Sequence, residues 1–320
     1  MASLRSKVTF IIVLSLCIQV CFIFFVNLPS APTSFQTFQS ASPPIPRKPH
    51  LGDGCYHVLL DVGSNIGVHG RFLFEPEKFP ESKSSVAVFA DEFGTSRDNR
   101  DFCVFAFEPN PKFAKRQLEL ESVYKSMGWR YHFIFAGASN EDGNCTFYHD
   151  HMKDAKIEVG FSAVAKRTVY GGDSWPTIVP VIRLSKWIQH EIHDRQIPTA
   201  PHISHKDGPQ VIMKLDVEGL EYRIFPDLLT TGALCETVNL IMGEFHYSAA
   251  YKNFFPMNLT SDGKNVLETW LYALPLAGFF TRLVEISENC ITRINLQDDE
   301  SYVSDPIEYP VPVPQTDRRE

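Results

Sequence analysis

The chain has 320 residues, enough for one large α/β domain with appendages. Its 44% hydrophobic and 21% charged content excludes a wholly disordered chain and calls for a real core. The formal net charge of -8 excludes the broad basic footprint of a nucleic-acid binder, so no nucleic-acid partner is expected.

Residues 1–7 carry Arg5 and Lys7 and read as a cytosolic tail. Residues 8–26 form an uncharged apolar run, interrupted only by Thr9, Ser15 and Gln19. As a helix this run spans roughly 28 Å, close to the thickness of a bilayer core. The next basic residues, Arg47 and Lys48, lie far beyond it. The positive-inside rule then predicts a single-pass type II transmembrane signal anchor, with the bulk of the chain in the lumen of the Golgi or endoplasmic reticulum. The rival is a cleaved signal peptide and a secreted product. Against it, the run is longer than a usual signal core and no small-x-small site directly follows. Residues 27–54, with Pro29, Pro32, Pro43, Pro44, Pro46 and Pro49 among Ser, Thr and Gln, read as an extended stem.

Of seven cysteines, Cys17 and Cys21 fall in the apolar run, leaving Cys55, Cys103, Cys145, Cys235 and Cys290. No pair has zinc-ribbon or thioredoxin spacing. A lumenal setting permits disulfides without choosing partners. Cys103, inside an apolar run, is expected to be a buried free thiol. The triplets at Asn144 and Asn258 are N-glycosylation sequons and lean toward the same compartment.

The globular domain is expected over 55–296. It begins with a strand at 57–61, a glycine turn at 63–67 and a helix starting near Asn65. The polar stretch 75–101 reads as an inserted loop. A second strand, 102–107, is stopped by Glu108-Pro109-Asn110-Pro111, and 112–127 follows as a helix. Then come a strand at 132–138, a turn at 139–143 and a short strand at 145–148. A strand at 179–184 leads into a helix with Ser185 as N-cap, and 190–210 reads as a second inserted loop. The remaining elements are a strand at 211–215, a helix at 222–229 closed by Gly232, a strand at 238–242, a helix at 266–277 and a strand at 279–286, before a tail at 297–320. Apolar strands without alternation, separated by helices, predict an α/β fold with a mostly parallel sheet covered on both faces.

In such a sheet ligands bind at the carboxyl ends of the strands. Asp61, Glu108, Asp216 and Glu244 stand at four of those predicted ends. The turn Asp61-Val-Gly63-Ser-Asn65-Ile-Gly67 lacks the G-x-G-x-x-G spacing that cradles a pyrophosphate. S-adenosylmethionine carries no phosphate and suits an acidic turn better. Asp61 is placed near its amino-acid part, and Glu108 can accept both ribose hydroxyls. Gly63 frees the backbone turn and Gly67 permits close approach to the helix. Asn65, Asn110 and Ser139 complete the expected cofactor-binding set.

Here the chain resembles the FkbM family of S-adenosylmethionine-dependent methyltransferases, as a membrane-anchored eukaryotic-type member. The matching pieces are LDVGSNIG at 60–67, FAFEPNP at 105–111, AGASNEDGNCTFY at 136–148, IRLSKWI at 182–188, IMKLDVEGLEYRIF at 212–225 and GEFH at 243–246. The resemblance implies a class I, Rossmann-like methyltransferase fold with a seven-stranded sheet, and methylation, usually of a hydroxyl oxygen. The long 75–101 stretch departs from the pattern.

Transfer to a hydroxyl needs the proton removed as the oxygen attacks. Asp216, Glu244 and His246 are the candidates for that base. In a variant of this reading, Asp216 and Glu244 hold a divalent cation through oxygen ligands. Glu218 and Glu221 either serve the acceptor or cap and solvate the following helix. His149, His151, His190 and His193 are read as surface histidines. Trp175, Trp187, Phe245 and Tyr247 suit a sugar ring but fit a buried core better. The expected acceptor is a glycan or other secretory-pathway hydroxyl compound. The rivals are a noncatalytic binding module on the same fold and a nucleotide-sugar or dinucleotide enzyme.

Overall fold

A computed structural model describes residues 47–80, 82–149, 158, 160–163, 175–203, 208–246 and 265–296. The apolar run 8–26, Asn258, His151, Tyr247 and the tail 297–320 lie outside the described residues. Among the described residues, no helix is long and apolar enough to cross a membrane.

The central sheet has six strands in the order β3-β2-β1-β7-β8-β9. These are β1 (His57–Val62), β2 (Phe102–Phe107), β3 (Arg130–Ile134), β7 (Val211–Leu215), β8 (Leu240–Gly243) and β9 (Arg293–Leu296). Every neighbouring pair is parallel. A second, three-stranded sheet runs β4-β6-β5, from β4 (Gly137–Ser139), β5 (Gly143–Tyr148) and β6 (Pro176–Arg183). The helices are α1 (Val68–Phe74), α2 (Lys83–Phe93), α3 (Pro111–Ser126), α4 (Leu184–Ile188), α5 (Glu221–Thr230), α6 (Ala233–Thr237) and α7 (Asn265–Ile286).

β1, β2 and β7 are buried along their whole length, as continuous apolar strands between two layers should be. Successive side chains alternate faces. Leu59, Val104, Ala106 and Ile212 pack with Phe72 of α1, Phe89 and Phe93 of α2 and Leu120 of α3. Leu60, Phe105, Phe107 and Met213 pack with Leu184 of α4, Ile224 and Phe225 of α5 and Phe280 of α7.

Several expectations are corrected here. The central sheet has six strands among the described residues rather than seven, because the expected strand at 279–286 is the end of α7. Ala277, Phe280 and Val284 are buried at i, i+3 and i+7, while Phe279 and Ile286 are exposed, so the run follows a helical period. The supposed loop 75–101 contains α2, whose Phe89 and Phe93 anchor it to the sheet under a mostly polar sequence. The 190–210 loop begins as a single π-turn, Gln189–His193, continuing α4. Ser185 is not an N-cap: α4 starts one residue earlier, and the Ser185 hydroxyl donates to Asp227.

Cys103 is not a free thiol. It is bonded to Cys55, and Cys235 to Cys290, leaving Cys145 as the free cysteine of the described residues. Cys103 is the register partner of Val58 in β1, three residues after Cys55, so strand pairing brings the two thiols together.

Candidate active site

The chain builds β1, β2 and β3 outward on one side of the sheet and β7, β8 and β9 on the other. The crevice between β1 and β7 is therefore the topological switch point, where ligands of open α/β sheets bind. Asp61 near the end of β1, Glu108 after β2, Asp216 after β7 and Glu244 after β8 stand along that edge, as their strand positions predict.

The turn after β1 is fixed by close backbone packing. Gly63 and Ser64 both donate N–H to the Phe107 carbonyl, at 3.1 and 3.0 Å. Gly63 has φ +84°, and a Cβ there would lie 1.7 Å from the Asp216 carbonyl oxygen, so only glycine lets β1 and β7 close at this point. At Gly67 the approaching groups are the Tyr131 hydroxyl of β3 and Leu120 of α3. Asn65 adopts φ 51°, a conformation asparagine tolerates.

That conformation aims the Asn65 N–H at Glu108 Oε2 (2.7 Å), while the Asn110 N–H donates to Oε1 (2.8 Å). Each Glu108 oxygen thus accepts one backbone hydrogen bond and keeps one lone pair for a ligand. Burial pushes its carboxyl up to about 8. Asp61 is 0% exposed, and neither of its oxygens makes a close hydrogen bond; the Gly70 N–H and His69 Nδ1, the latter at 3.9 Å, only approach it. Burial raises it to about 6, against the pull of the Lys214 ammonium. Ser139 ends β4 in the second sheet and donates only to Asn140, at 3.5 Å. No hydrogen bond joins it to the rest of the expected cofactor set.

Three residues of this half escaped the sequence reading. Lys214 lies buried in β7 and donates to the Gly63 carbonyl (2.7 Å) and to Asp216 Oδ2 (2.8 Å). A lysine inside the buried run Val-Ile-Met-Lys-Leu was the readable signal. Gln117 of α3 donates to Ser64 Oγ (2.9 Å) and the Asn65 carbonyl (2.8 Å). Glu158 accepts from Asn65 Nδ2 through its carbonyl and from Asn110 Nδ2 through Oε2, both at 2.9 Å. Nothing in the local sequence marked it.

His149 is not a surface histidine. It is buried, 3.0 Å from Glu158 Oε1 and from Thr177 Oγ1, and stacked on Trp175. Trp187 and Phe245 are core residues, the first edge-on to Phe105 and Phe107.

At the ends of β7 and β8, carboxylates surround His246. Its Nε2 is 2.9 Å from Glu244 Oε1, 3.6 Å from Glu218 Oε2 and 3.8 Å from Asp216 Oδ1. Its Nδ1 is 2.8 Å from Glu221 Oε1. Burial opposes the imidazolium, but Glu221, Glu218 and Glu244 outweigh it and hold His246 well above its ordinary value. A charged imidazole has no lone pair to take a proton, which leaves the carboxylates around it, Asp216, Glu218 and Glu244, as the available bases. Asp216 lies below the usual range: Lys214 and His246 overcome its burial. Glu221 does not solvate α5. It is 0% exposed, and its Oε1 also accepts the Val217 N–H at 2.9 Å. Glu218 has φ 55°, an uncommon conformation for a long side chain.

Asp216, Glu244 and His246 bring ligand-type atoms within 4.8 Å of one another, as do His50, His190 and Glu191 elsewhere on the chain. A family model described as "Methyltransferase FkbM domain" matches residues 61–279, more than half of the chain. No curated protein and no solved structure matches it.

Proposed function

The chain belongs to the FkbM methyltransferase family, and from that membership we propose that it is an S-adenosylmethionine-dependent O-methyltransferase. Its acceptor is a hydroxyl of a glycan or another secretory-pathway compound. One observation carries the reading: the parallel sheet lines up Asp61, Glu108, Asp216 and Glu244 at the ends of four adjacent strands around its switch point.

The residues present fit the donor. To the ammonium of its amino-acid part, Asp61 offers two buried oxygens that make no close hydrogen bond. Glu108 offers one lone pair per oxygen to the ribose hydroxyls. Asn65, Asn110, Gly63 and Gly67 shape this half, where S-adenosylmethionine supplies the methyl group. Transfer forms an O–CH₃ bond as the S–CH₃ bond breaks, and the acceptor proton leaves to a base. Asp216 and Glu244 are carboxylates at the right strand ends for that role, or for holding a divalent cation that acidifies the hydroxyl.

The two disulfides support an oxidising compartment, and with the 8–26 run and the Asn144 sequon they favour a type II Golgi or endoplasmic reticulum protein. Asn144 lies exposed on β5, accessible to glycosylation. The test is transfer of tritium from methyl-labelled S-adenosylmethionine to a glycan pool by the full chain, followed by mapping of the labelled sugar position. Label at a hydroxyl is expected. No donor binding by calorimetry would leave a noncatalytic module, and co-purified NAD would point to a dinucleotide enzyme.

A further inference from the structure

We propose that Asp216, Glu244 and His246 form a divalent-cation site whose open positions take two neighbouring oxygens of the acceptor. This rests on the methyltransferase reading, and names how the same site holds its substrate.

The placement follows from the sheet. Leu215 and Gly243 are register partners at the ends of β7 and β8, and the Glu244 N–H donates to the Leu215 carbonyl at 3.3 Å. Asp216 and Glu244 are therefore held side by side. The chain then returns His246 over them, and one ligand atom from each lies within 4.8 Å of the other two. Two oxygens and a nitrogen bound to one octahedral cation at about 2.1 Å sit roughly 3 Å apart, so a small contraction closes the site.

A second observation concerns His246. Its Nδ1 is held at 2.8 Å by Glu221, itself fixed by the Val217 N–H and fully buried. A carboxylate behind the ring fixes its orientation and directs Nε2 at the other two ligands, which is how metal-bound histidines are held. The second oxygen of Glu221 is buried without a hydrogen-bond partner. Nδ1 keeps its hydrogen for Glu221, and binding a cation displaces the hydrogen from Nε2, whose lone pair then faces the ion. Glu244 Oε1 lies 2.9 Å from Nε2 and Asp216 Oδ1 3.8 Å from it.

Two carboxylates and one imidazole, with no thiolate, suit magnesium or manganese. Three protein ligands leave three positions on a six-coordinate ion. An acceptor with adjacent hydroxyls fills two of them as a chelate. The coordinated hydroxyl gives its proton to Glu218, its oxygen forms the bond to the methyl carbon, and the S–CH₃ bond breaks to leave the thioether.

The test is titration of the full-length chain in detergent with manganese alone, followed by the loss of the free-ion paramagnetic resonance signal. One site per chain is expected. Glu244→Gln and His246→Asn should each weaken it at least tenfold, and Glu221→Gln by a smaller factor. Because a variant can fail to fold, the manganese-loaded wild type is also examined by electron spin-echo modulation, where coupling to an imidazole nitrogen is expected. No manganese site, or a site without nitrogen coupling, overturns the proposal. Donor binding is measured in parallel by calorimetry: donor without manganese sinks the cation site alone, and manganese without donor sinks the methyltransferase reading. With magnesium present, a sugar with a vicinal diol should be methylated at least tenfold faster than its monodeoxy analogue. Equal rates overturn the chelated acceptor.

Discussion

Lys214 stands beside Asp61 across the β1–β7 pair, yet its ammonium donates to Asp216 Oδ2 at 2.8 Å and to the Gly63 carbonyl at 2.7 Å. One buried cation thus ties the glycine turn after β1 to the carboxylate after β7. Removing it takes away the nearest positive charge of Asp216 and Asp61, leaving His246 3.8 Å from Asp216 and His69 3.9 Å from Asp61. Breaking a buried pair from one side costs about 3–5 kcal/mol. Asp216 is 30% exposed, so for Lys214→Met the expected loss is nearer about 2 kcal/mol, measured by denaturant unfolding. Adding Asp216→Asn should restore part of it, because the charge left behind is gone. A double variant that loses the sum of the two single effects would show that the groups are not coupled.

Gly63→Ala tests the closure of β1 on β7. The added Cβ meets the Asp216 backbone, which cannot swing aside as a side chain does. Gly128 is the control: it has φ +77° and nothing within 4 Å of where a Cβ would stand, so alanine there costs only the left-handed conformation, roughly 1–2 kcal/mol. Gly63→Ala should lose at least twice as much stability as Gly128→Ala, and donor binding with it. Equal melting temperatures for the two variants would mean the strand ends are looser than the contact implies.

Glu108 sets a pH dependence. Its carboxyl is pushed up to about 8, and on the proposed reading ribose hydroxyls donate to the ionised form, so donor binding below that pH should expel a proton. Affinity should rise up to about tenfold per pH unit from pH 6 toward 8, then level off. Calorimetry at pH 7 in two buffers of different ionisation enthalpy should show about one proton released. No proton release would remove Glu108 as the ribose acceptor. The sign for folding is the reverse: a buried carboxyl raised from 4.5 favours its protonated form, so its contribution to stability falls as pH rises from 4.5 toward about 8.

What the sequence showed of this site follows from strand logic. Asp61, Glu108, Asp216 and Glu244 each end an apolar run, and parallel strands place such ends on one edge whatever their order in the sheet. The contacts among them depend on register and on returning segments, which no local pattern records. Glu221 reads as an exposed helix-start carboxylate because its partner His246 lies 25 residues later in the chain. His149 looked exposed because Glu158 and Trp175 reach it across stretches without periodicity. The fold errors have the same source. α2 hides three core contacts in a polar stretch, and α7 carries β-type residues at helical spacing. The Cys55–Cys103 bond needed the β1–β2 register, which composition does not contain.

The disulfides make a separate prediction. Their loops span 48 and 55 residues, and the chain-entropy model gives about 4 kcal/mol for each as an upper figure. Reduction should therefore lower the melting temperature clearly, and Cys55→Ser or Cys235→Ser should each reproduce part of that loss. Peptide mapping without reduction should find the pairs 55–103 and 235–290, with Cys145 alkylated after unfolding. Mixed pairing that includes Cys145 would contradict the arrangement.

Glu158 braces the corner that holds Glu108, and on the proposed reading its effect should separate binding from transfer. Its side chain holds Asn110 Nδ2 at 2.9 Å and His149 Nδ1 at 3.0 Å. Asn110 in turn caps α3 through the Lys112 N–H and gives its own N–H to Glu108. Glu158→Ala therefore frees the residue that orients the ribose carboxylate. Loss of one charge-assisted hydrogen bond is worth about 1.4 kcal/mol, or about tenfold in affinity. Donor KM should rise by about that factor while kcat stays within about threefold, because the bonds of Glu158 to Asn65, Asn110 and His149 bear on the Glu108 side of the site. Glu158→Gln should recover most of the loss, since a glutamine oxygen still accepts from Asn110. A fall in kcat at unchanged donor KM would instead place Glu158 with the chemistry, and separate Asn110 from the control of Glu108.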